Sequence, residues 1–374
     1  MGGNGRAASE CANLRPVPIA LYAMISPIRR LSHSRARGHA PASSPGAGSL
    51  TILVTGSSGH LGEALMRTLR EAGREALGLD VVPGPFTDVA GSIVERACVA
   101  RCMAGVRAVL HAATLHKPHV ATHGREDFVE TNVLGTLVVL EEACRGGVES
   151  FVMTSTTSAF GDALKRPAGE PAAWIDESVT PVPKNIYGVT KTAAEDLCRL
   201  FWRNERFACV ILRTSRFFPE EDDDPDARAS FADANLKTNE FLYRRLAIED
   251  VVEAHLLALD RAPSIGFGKY VVSATTPFRR ADAARLRTDA AAVARERAAG
   301  WEEEYARRGW RMAASIDRVY DNRLARAELG WRPKWDFAAV VERLRKTGDI
   351  RGPLAKAVGE KGYHREEGGV RRYP

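Results

Sequence analysis

The sequence predicts an α/β fold, a doubly wound parallel sheet with a smaller C-terminal substrate-binding region. Three observations predict it. Short runs rich in β-branched residues alternate with segments of helical spacing between Leu50 and Thr214. Three glycines separate the first such run from the first helical segment. An acidic residue, Asp80, closes the second run. Strands joined by helices of crossover length lie parallel, with helices covering both faces of the sheet.

Ser49-Leu50-Thr51-Ile52-Leu53-Val54-Thr55 reads as a buried first strand. The spacing predicts a helix over 61–72, stopped by Gly73. Strands are expected at 76–82, 106–111, 151–155 and 209–214, with helices over 128–144 and 187–202. Past Arg216 the alternation loosens. Residues 219–226 read as an acidic loop, 248–259 as a helix, 269–273 as a strand and 281–308 as one long charged helical stretch. Leu329-Gly330-Trp331-Arg332-Pro333 reads as a turn into a last helix. The resulting division is 1–48, a tail; 49–218, a dinucleotide-binding domain; 219–352, a substrate-binding region interleaved with the last sheet elements; and 353–374, a basic tail.

Residues 1–48 are rich in Ala, Arg, Ser, Gly and Pro and poor in acid. Three readings compete: an organelle-targeting peptide, a disordered tail, or a mistaken start with Met24 as the alternative. The formal charge is +6, but much of the excess sits in the tails. Arg6, Arg15, Arg29, Arg30, Arg35 and Arg37 face only Glu10 there, and Arg365, Arg371 and Arg372 stand at the other end. A solvated tail is favoured over nucleic-acid binding. No apolar run approaches the roughly 18 residues that span a bilayer. The six cysteines form no C-x-x-C pair, so no zinc site is expected. Buried reduced thiols in a cytoplasmic enzyme fit better.

Gly56-Ser57-Ser58-Gly59-His60-Leu61-Gly62 forms G-x-x-G-x-x-G between strand and helix. Gly56 allows the tight turn, Gly59 the approach of a pyrophosphate, and Gly62 close packing of helix on strand. The helix N-terminus offers free N–H groups and a positive dipole end to phosphate. This is the signature of a Rossmann-type domain. Asp80 stands eighteen residues after Gly62, where its carboxylate can accept the adenosine ribose hydroxyls. It would repel a 2′-phosphate, and no Arg follows it, so NAD is expected rather than NADP.

Tyr187-Gly188-Val189-Thr190-Lys191 places a phenol and an ammonium on one helical face. An adjacent ammonium favours phenolate, which makes Tyr187 a candidate proton carrier to a hydroxyl or ketone.

Taken in order, these pieces resemble an extended short-chain dehydrogenase/reductase of the NAD-dependent epimerase/dehydratase kind. The resemblance also rests on Val109-Leu110-His111-Ala112-Ala113, Thr131-Asn132-Val133-Leu134-Gly135-Thr136, Phe151-Val152-Met153-Thr154-Ser155-Thr156 and Leu212-Arg213. It covers residues 50–219 well, and Glu249-Asp250-Val251-Val252-Glu253-Ala254 continues it more sparsely. It implies Thr156 as the third catalytic group beside Tyr187 and Lys191, with Ser155 as the fallback. It implies that Lys191 also holds the cofactor ribose. Gly56, Ser58, Gly59, His60, Leu61 and Gly62 would form the phosphate turn. Ser92 and Ile93 would stand beside the adenine, with Ser92 where the family has Asp. Ala112 and Ala113 would line the cofactor groove, and Asn132 would brace the active-site helix or a water. A homodimer is implied, formed through the helices at Phe128 and Tyr187.

Family dehydratases carry Asp-Glu just after the catalytic Thr; here Thr157-Ser158 stands there, so dehydration is not expected. Two enzymatic readings stay open. One is an NAD-dependent sugar-nucleotide epimerase-like enzyme, and the other a dehydrogenase or reductase of a non-nucleotide alcohol or carbonyl. A dinucleotide sensor without turnover ranks below both. Arg244, Arg245 and Arg311 are candidate diphosphate ligands, weighed against solvent-facing arginines in an Arg-rich chain. Glu220 to Asp224 lack the spacing of a metal cage and read as a solvated loop. Trp301, Trp310 and Trp331 suit either a ligand cleft or helix packing.

Overall fold

A computed structural model describes residues 51–222 and 225–362. The readings placed on residues 1–48, on Asp223 and Asp224 and on the basic residues Arg365, Arg371 and Arg372 lie outside these.

Among the described residues nine strands are formed: β1 Thr51–Thr55, β2 Ala76–Asp80, β3 Val89–Ala90, β4 Val106–His111, β5 Ser150–Thr156, β6 Ala173–Ile175, β7 Cys209–Thr214, β8 Phe267–Val272 and β9 Arg318–Tyr320. Seven of them make one parallel sheet in the order β3-β2-β1-β4-β5-β7-β8. The chain enters at β1, winds outward to β3, then returns to add β4 on the other side. The carboxyl ends of β1 and β4 therefore flank the point where the winding reverses, the place where open α/β sheets bind ligands. Burial on both faces explains the continuous apolar runs read as strands. Ile52, Val54, Leu110, Val152 and Leu212 pack on one side, and Leu53, Val109, Phe151 and Met153 on the other. β8 lies past residue 218 yet pairs with β7, so the substrate-binding region and the sheet share elements.

Several elements differ from expectation. The helix expected over 128–144 begins at Arg125 and carries a π turn, Glu130–Leu134, before continuing as Gly135–Arg145. The single stretch expected over 281–308 is three short helices, Ala283–Thr288, Ala290–Arg297 and Glu302–Arg308. Asp289 restarts the helix by accepting the Ala292 N–H, and Gly300 breaks it at φ +96°. The parallel pair β6–β9 is too short to show a periodicity.

The basic tail expected from 353 begins instead with a helix, Pro353–Val358. Pro353 opens it, and the Glu249 carboxylate accepts the Leu354 and Ala355 N–H groups at 3.0 and 3.3 Å. Among the described residues no helix is long and apolar enough to cross a membrane. The five described cysteines are all free.

Candidate active site

The glycine turn joins β1 to the helix His60–Glu71. Gly56 has φ +73°, and a Cβ there would stand 2.7 Å from the Ala113 nitrogen. A Cβ on Gly62 would lie 1.8 Å from the Gly56 carbonyl oxygen. The turn, helix and β4 exit thus pack backbone on backbone, which only glycine permits. Asp80, buried at the end of β2, accepts N–H groups from Ser58 and Val82, each at 2.9 Å. Burial pushes its carboxyl pKa up, partly offset by these N–H groups.

A crevice of about 550 Å³ opens over the winding reversal. Gly56, Gly59, His60, Leu61, Gly62, Asp80, Ser92, Ile93, Ala112, Ala113 and Tyr187 line it. Ser58 does not; its hydroxyl donates to the Val82 carbonyl at 2.8 Å and ties the turn to the exit of β2. Asn132 also stands behind the wall. Its Oδ1 accepts from Thr114 and Leu115, each at 2.8 Å, and its Nδ2 donates to Thr190 at 3.0 Å. It sits in the π turn, and from there it reaches Thr190, next to Lys191.

Asn185 caps the helix Ile186–Glu205, which carries Tyr187 and Lys191, by accepting the Gly188 N–H at 2.9 Å, and this fixes the helix start just before Tyr187. Tyr187 lines both the crevice and a second, smaller cavity of about 110 Å³. Thr156, at the end of β5, lines the smaller cavity together with Tyr187, and its hydroxyl accepts the Ser158 N–H at 3.0 Å. Ser155 lines the larger crevice instead. Its hydroxyl donates to the Glu195 carboxylate at 2.6 Å, which favours Thr156 over the fallback.

Lys191 is buried one turn below Tyr187, and burial lowers its pKa from 10.5 to about 8, with Glu195 acting against the fall. The expected drop of the phenol is not found. Burial raises Tyr187 from 10.0 to about 12, because desolvation outweighs the help from Thr156. His111 is likewise held neutral, with a pKa of about 3, first by burial and then by Lys191. It bridges Thr55 at 2.8 Å and Thr136 at 3.0 Å.

The smaller cavity brings in residues that the motifs did not single out: His116, Lys117, Arg216, Phe218 and Lys237. His116 stacks on Phe218 with ring centroids 5.5 Å apart, and both line both cavities. Of the three candidate arginines only Arg245 lines the cavity. It is buried, donating to the Phe218 carbonyl at 3.1 Å and facing Glu240 at 3.1 Å. Arg244 pairs with Glu240 outside the lining. Arg311 lies exposed over the Phe231 ring, bonded to the Ser230 carbonyl.

The acidic loop is not simply solvated. Glu220, Glu221 and Asp222 line the cavity, and Asp222 is buried. Among the described residues no group of three His, Cys, Asp or Glu could hold a metal. Trp301 and Trp331 are buried, Trp331 donating to the Asp250 carbonyl at 3.1 Å, and neither they nor Trp310 line either cavity.

A structure of a short-chain dehydrogenase/reductase superfamily protein from Agrobacterium tumefaciens, with bound NAD, shares the fold. The TM-score is 0.56 at 24% identity, covering 82% of this chain and 99% of that one. A UDP-glucose 4-epimerase of Rhizobium meliloti is 25% identical over 328 residues, 78% of this chain and 94% of its own length. An NAD-dependent glucose-6-phosphate dehydrogenase of Haloferax volcanii is 28% identical over 179 residues, 43% of this chain and 66% of its own. Other curated relatives are matched over only 40% and 52% of their lengths. The model of the NAD dependent epimerase/dehydratase family matches residues 52–272, more than half of the chain and all of the sheet except the first residue of β1. The chain belongs to the NAD dependent epimerase/dehydratase family.

Proposed function

We propose that the chain is an NAD-dependent, sugar-nucleotide epimerase-like oxidoreductase that works at a secondary alcohol or ketone. The observation that carries this reading is the place of Tyr187, at the junction of the two cavities, with Thr156 in the lining of the smaller one. The crevice fits the cofactor by its chemistry: a glycine cradle that any Cβ would fill, a helix N-terminus beside it, and the Asp80 carboxylate facing the same space. The turn from Gly56 to Gly62 would take the pyrophosphate, Asp80 the ribose hydroxyls, Ser92 and Ile93 the adenine side, and Ala112 and Ala113 the groove floor. NAD bound there supplies the hydride acceptor.

Thr156 orients the reacting oxygen of the sugar towards Tyr187. As phenolate Tyr187 takes the hydroxyl proton during oxidation, and as phenol it returns that proton during reduction. The buried Lys191 ammonium favours the phenolate once the proton begins to move. Thr157 and Ser158, beside Thr156 in the cavity, offer no carboxylate for removing water, which argues against dehydration.

A second reading, oxidation or reduction of a non-nucleotide sugar, is favoured by the relative named a glucose-6-phosphate dehydrogenase. The two separate on cofactor stoichiometry. The purified protein is assayed for retained NAD, then screened with UDP- and GDP-sugars without added cofactor. Epimerisation under these conditions is expected; turnover only with one NADH formed per sugar would replace the first reading by the second.

The proposal includes a homodimer. Val129 and Leu134 on one helix, and Val189 and Leu200 on the catalytic helix, are large apolar side chains left 45–48% exposed. Apolar side chains left exposed on these two helices support placing the dimer face there. Sedimentation as a monomer at micromolar concentration would contradict it. A cytoplasmic location is part of the same proposal, in keeping with the free thiols.

A further inference from the structure

The loop at residues 217–222 borders both spaces. Phe217 and Phe218 line the crevice, and Phe218, Glu220, Glu221 and Asp222 line the smaller cavity. Several ties hold the loop on the cavity side. The Phe218 carbonyl accepts from Arg245 at 3.1 Å, the Pro219 carbonyl from Lys237 at 2.5 Å, and the Asp222 carboxylate from Arg216, at 3.2 Å to one oxygen.

Glu220 reaches towards the glycine turn instead. Its Oε1 meets His60 Nε2 at 2.9 Å, with both side chains buried. His60 begins the helix His60–Glu71 and lines the crevice, and its ring stands edge-on to Phe218 with centroids 5.5 Å apart. The contact between Glu220 and His60 therefore joins one wall of the crevice to the loop that forms another.

The same Glu220 oxygen accepts the main-chain N–H of Lys361 at 2.9 Å. The Lys361 ammonium bonds to Glu63, in the first turn of the helix that His60 begins. It also stands close enough to Asp80 to work against the burial that raises that carboxyl. The chain before Lys361 is itself anchored. Val358 is buried in the same apolar cluster as Leu61 and Leu65, and Glu249 holds the start of the helix Pro353–Val358. Burial would raise the Glu220 carboxyl, but His60 and the Lys361 N–H outweigh it and hold it below the usual carboxylate range. Opening the joint would leave a buried carboxylate short of partners, so the closed arrangement is favoured.

We propose that Glu220 and Lys361 form a latch that holds the loop against the glycine turn and slows release of the dinucleotide from the crevice. Both are positioning residues, since neither lines the crevice. The proposal rests on the reading that the crevice holds NAD. An epimerase returns the hydride to the sugar it came from, so slow release of the cofactor is what that activity needs.

The test is release of NADH from the full chain, followed by its fluorescence in stopped flow after excess NAD is added. Glu220→Ala should release it about ten-fold faster than wild type, since a hydrogen bond to a charged group is worth about that factor or more. Glu220→Gln, whose amide oxygen still accepts the Lys361 N–H, should stay within about three-fold of wild type. Lys361→Pro has no N–H to donate and should release NADH faster by about three-fold or more. A change below about three-fold in Glu220→Ala or in Lys361→Pro overturns the proposal, as does Glu220→Gln releasing NADH as fast as Glu220→Ala. If Glu220→Ala does not fold, Lys361→Pro decides by itself. A wild-type protein that binds no NADH sinks the reading of the crevice and this proposal with it, whereas binding with release unaltered in the variants sinks the latch alone.

Discussion

The crevice proposed for the cofactor and the cavity proposed for the substrate meet at Tyr187, yet they are built from different material. The crevice is mostly backbone and small side chains: a glycine turn, two alanines, and one carboxylate pinned by N–H groups. The cavity is built from long charged side chains on a loop and the short helix Asp233–Glu240, each held in place by the others. Backbone geometry is rigid and costs little electrostatically. A charge network is rigid only while every member is present, since a buried charge without its partner is strongly unfavourable.

The largest expected effect follows. Glu240→Gln removes the carboxylate that three guanidiniums share and leaves them facing one another. Breaking a buried ion network of this kind costs about 3–5 kcal/mol. Urea unfolding should show a loss of that size together with a weakened cavity, while NAD affinity in the crevice changes little. A loss below about 1 kcal/mol would mean that the two sites do not differ in the way described.

The same difference explains what the sequence disclosed. The crevice was legible because backbone demands leave marks at fixed spacing: Gly56, Gly59 and Gly62 for close approach, Asp80 at the strand end, Tyr187 and Lys191 one turn apart. The cavity was not. Arg216 follows β7 without a pattern to separate it from other arginines, and its meaning depends on Glu240, twenty-four residues later. Arg311 looked equivalent to Arg245 in composition and lies outside the cavity wall. Asp222 belongs to an acidic run, which by itself reads as solvated; only a tertiary partner shows otherwise. Asn132 was recognised, but the π turn that aims it at Thr190 leaves no sequence mark.

The next effect tests whether the crevice side is truly poor in strained charge, since Lys191 is its exception. The lysine is 2% exposed, and Glu195 nearby is shared among Ser155, Arg213 and Lys269. With a folded pKa of about 8 against 10.5, the unfolded chain holds a proton that the folded chain has released between those values. Stability must therefore rise with pH from about 8, by up to about 3 kcal/mol. Tyr187 works in the opposite sense above its ordinary 10.0, because its folded pKa is raised. The rise should be seen between pH 8 and 10 in unfolding free energies of the wild type and be flattened in Lys191→Met. The variant should be the more stable protein at pH 7 although inactive. An equal rise in both proteins would show that Lys191 is not the strained group.

The smallest effect sets backbone contact against side-chain contact within the crevice itself. Glycine to alanine inside a helix ordinarily stabilises by about 0.5–1 kcal/mol. At Gly135 the nearest atoms to the added Cβ are side-chain atoms, Ile93 at 2.6 and 2.7 Å and Val94 at 3.4 Å, which can shift more readily than backbone. At Gly62 it would meet the Gly56 carbonyl oxygen at 1.8 Å, with the Ser57 Cα at 2.8 Å behind it. Backbone cannot rotate out of the way, so the helix must move off the turn, and overpacking of this kind costs about 1–3 kcal/mol. Gly62→Ala should therefore lose stability by that amount and bind NAD more weakly, while Gly135→Ala stays within about 1 kcal/mol of wild type. Unfolding midpoints and NAD titrations of the two variants side by side check this. Equal losses in both would mean that the turn yields as easily as a side chain, and the crevice would then owe its shape to something other than its glycines.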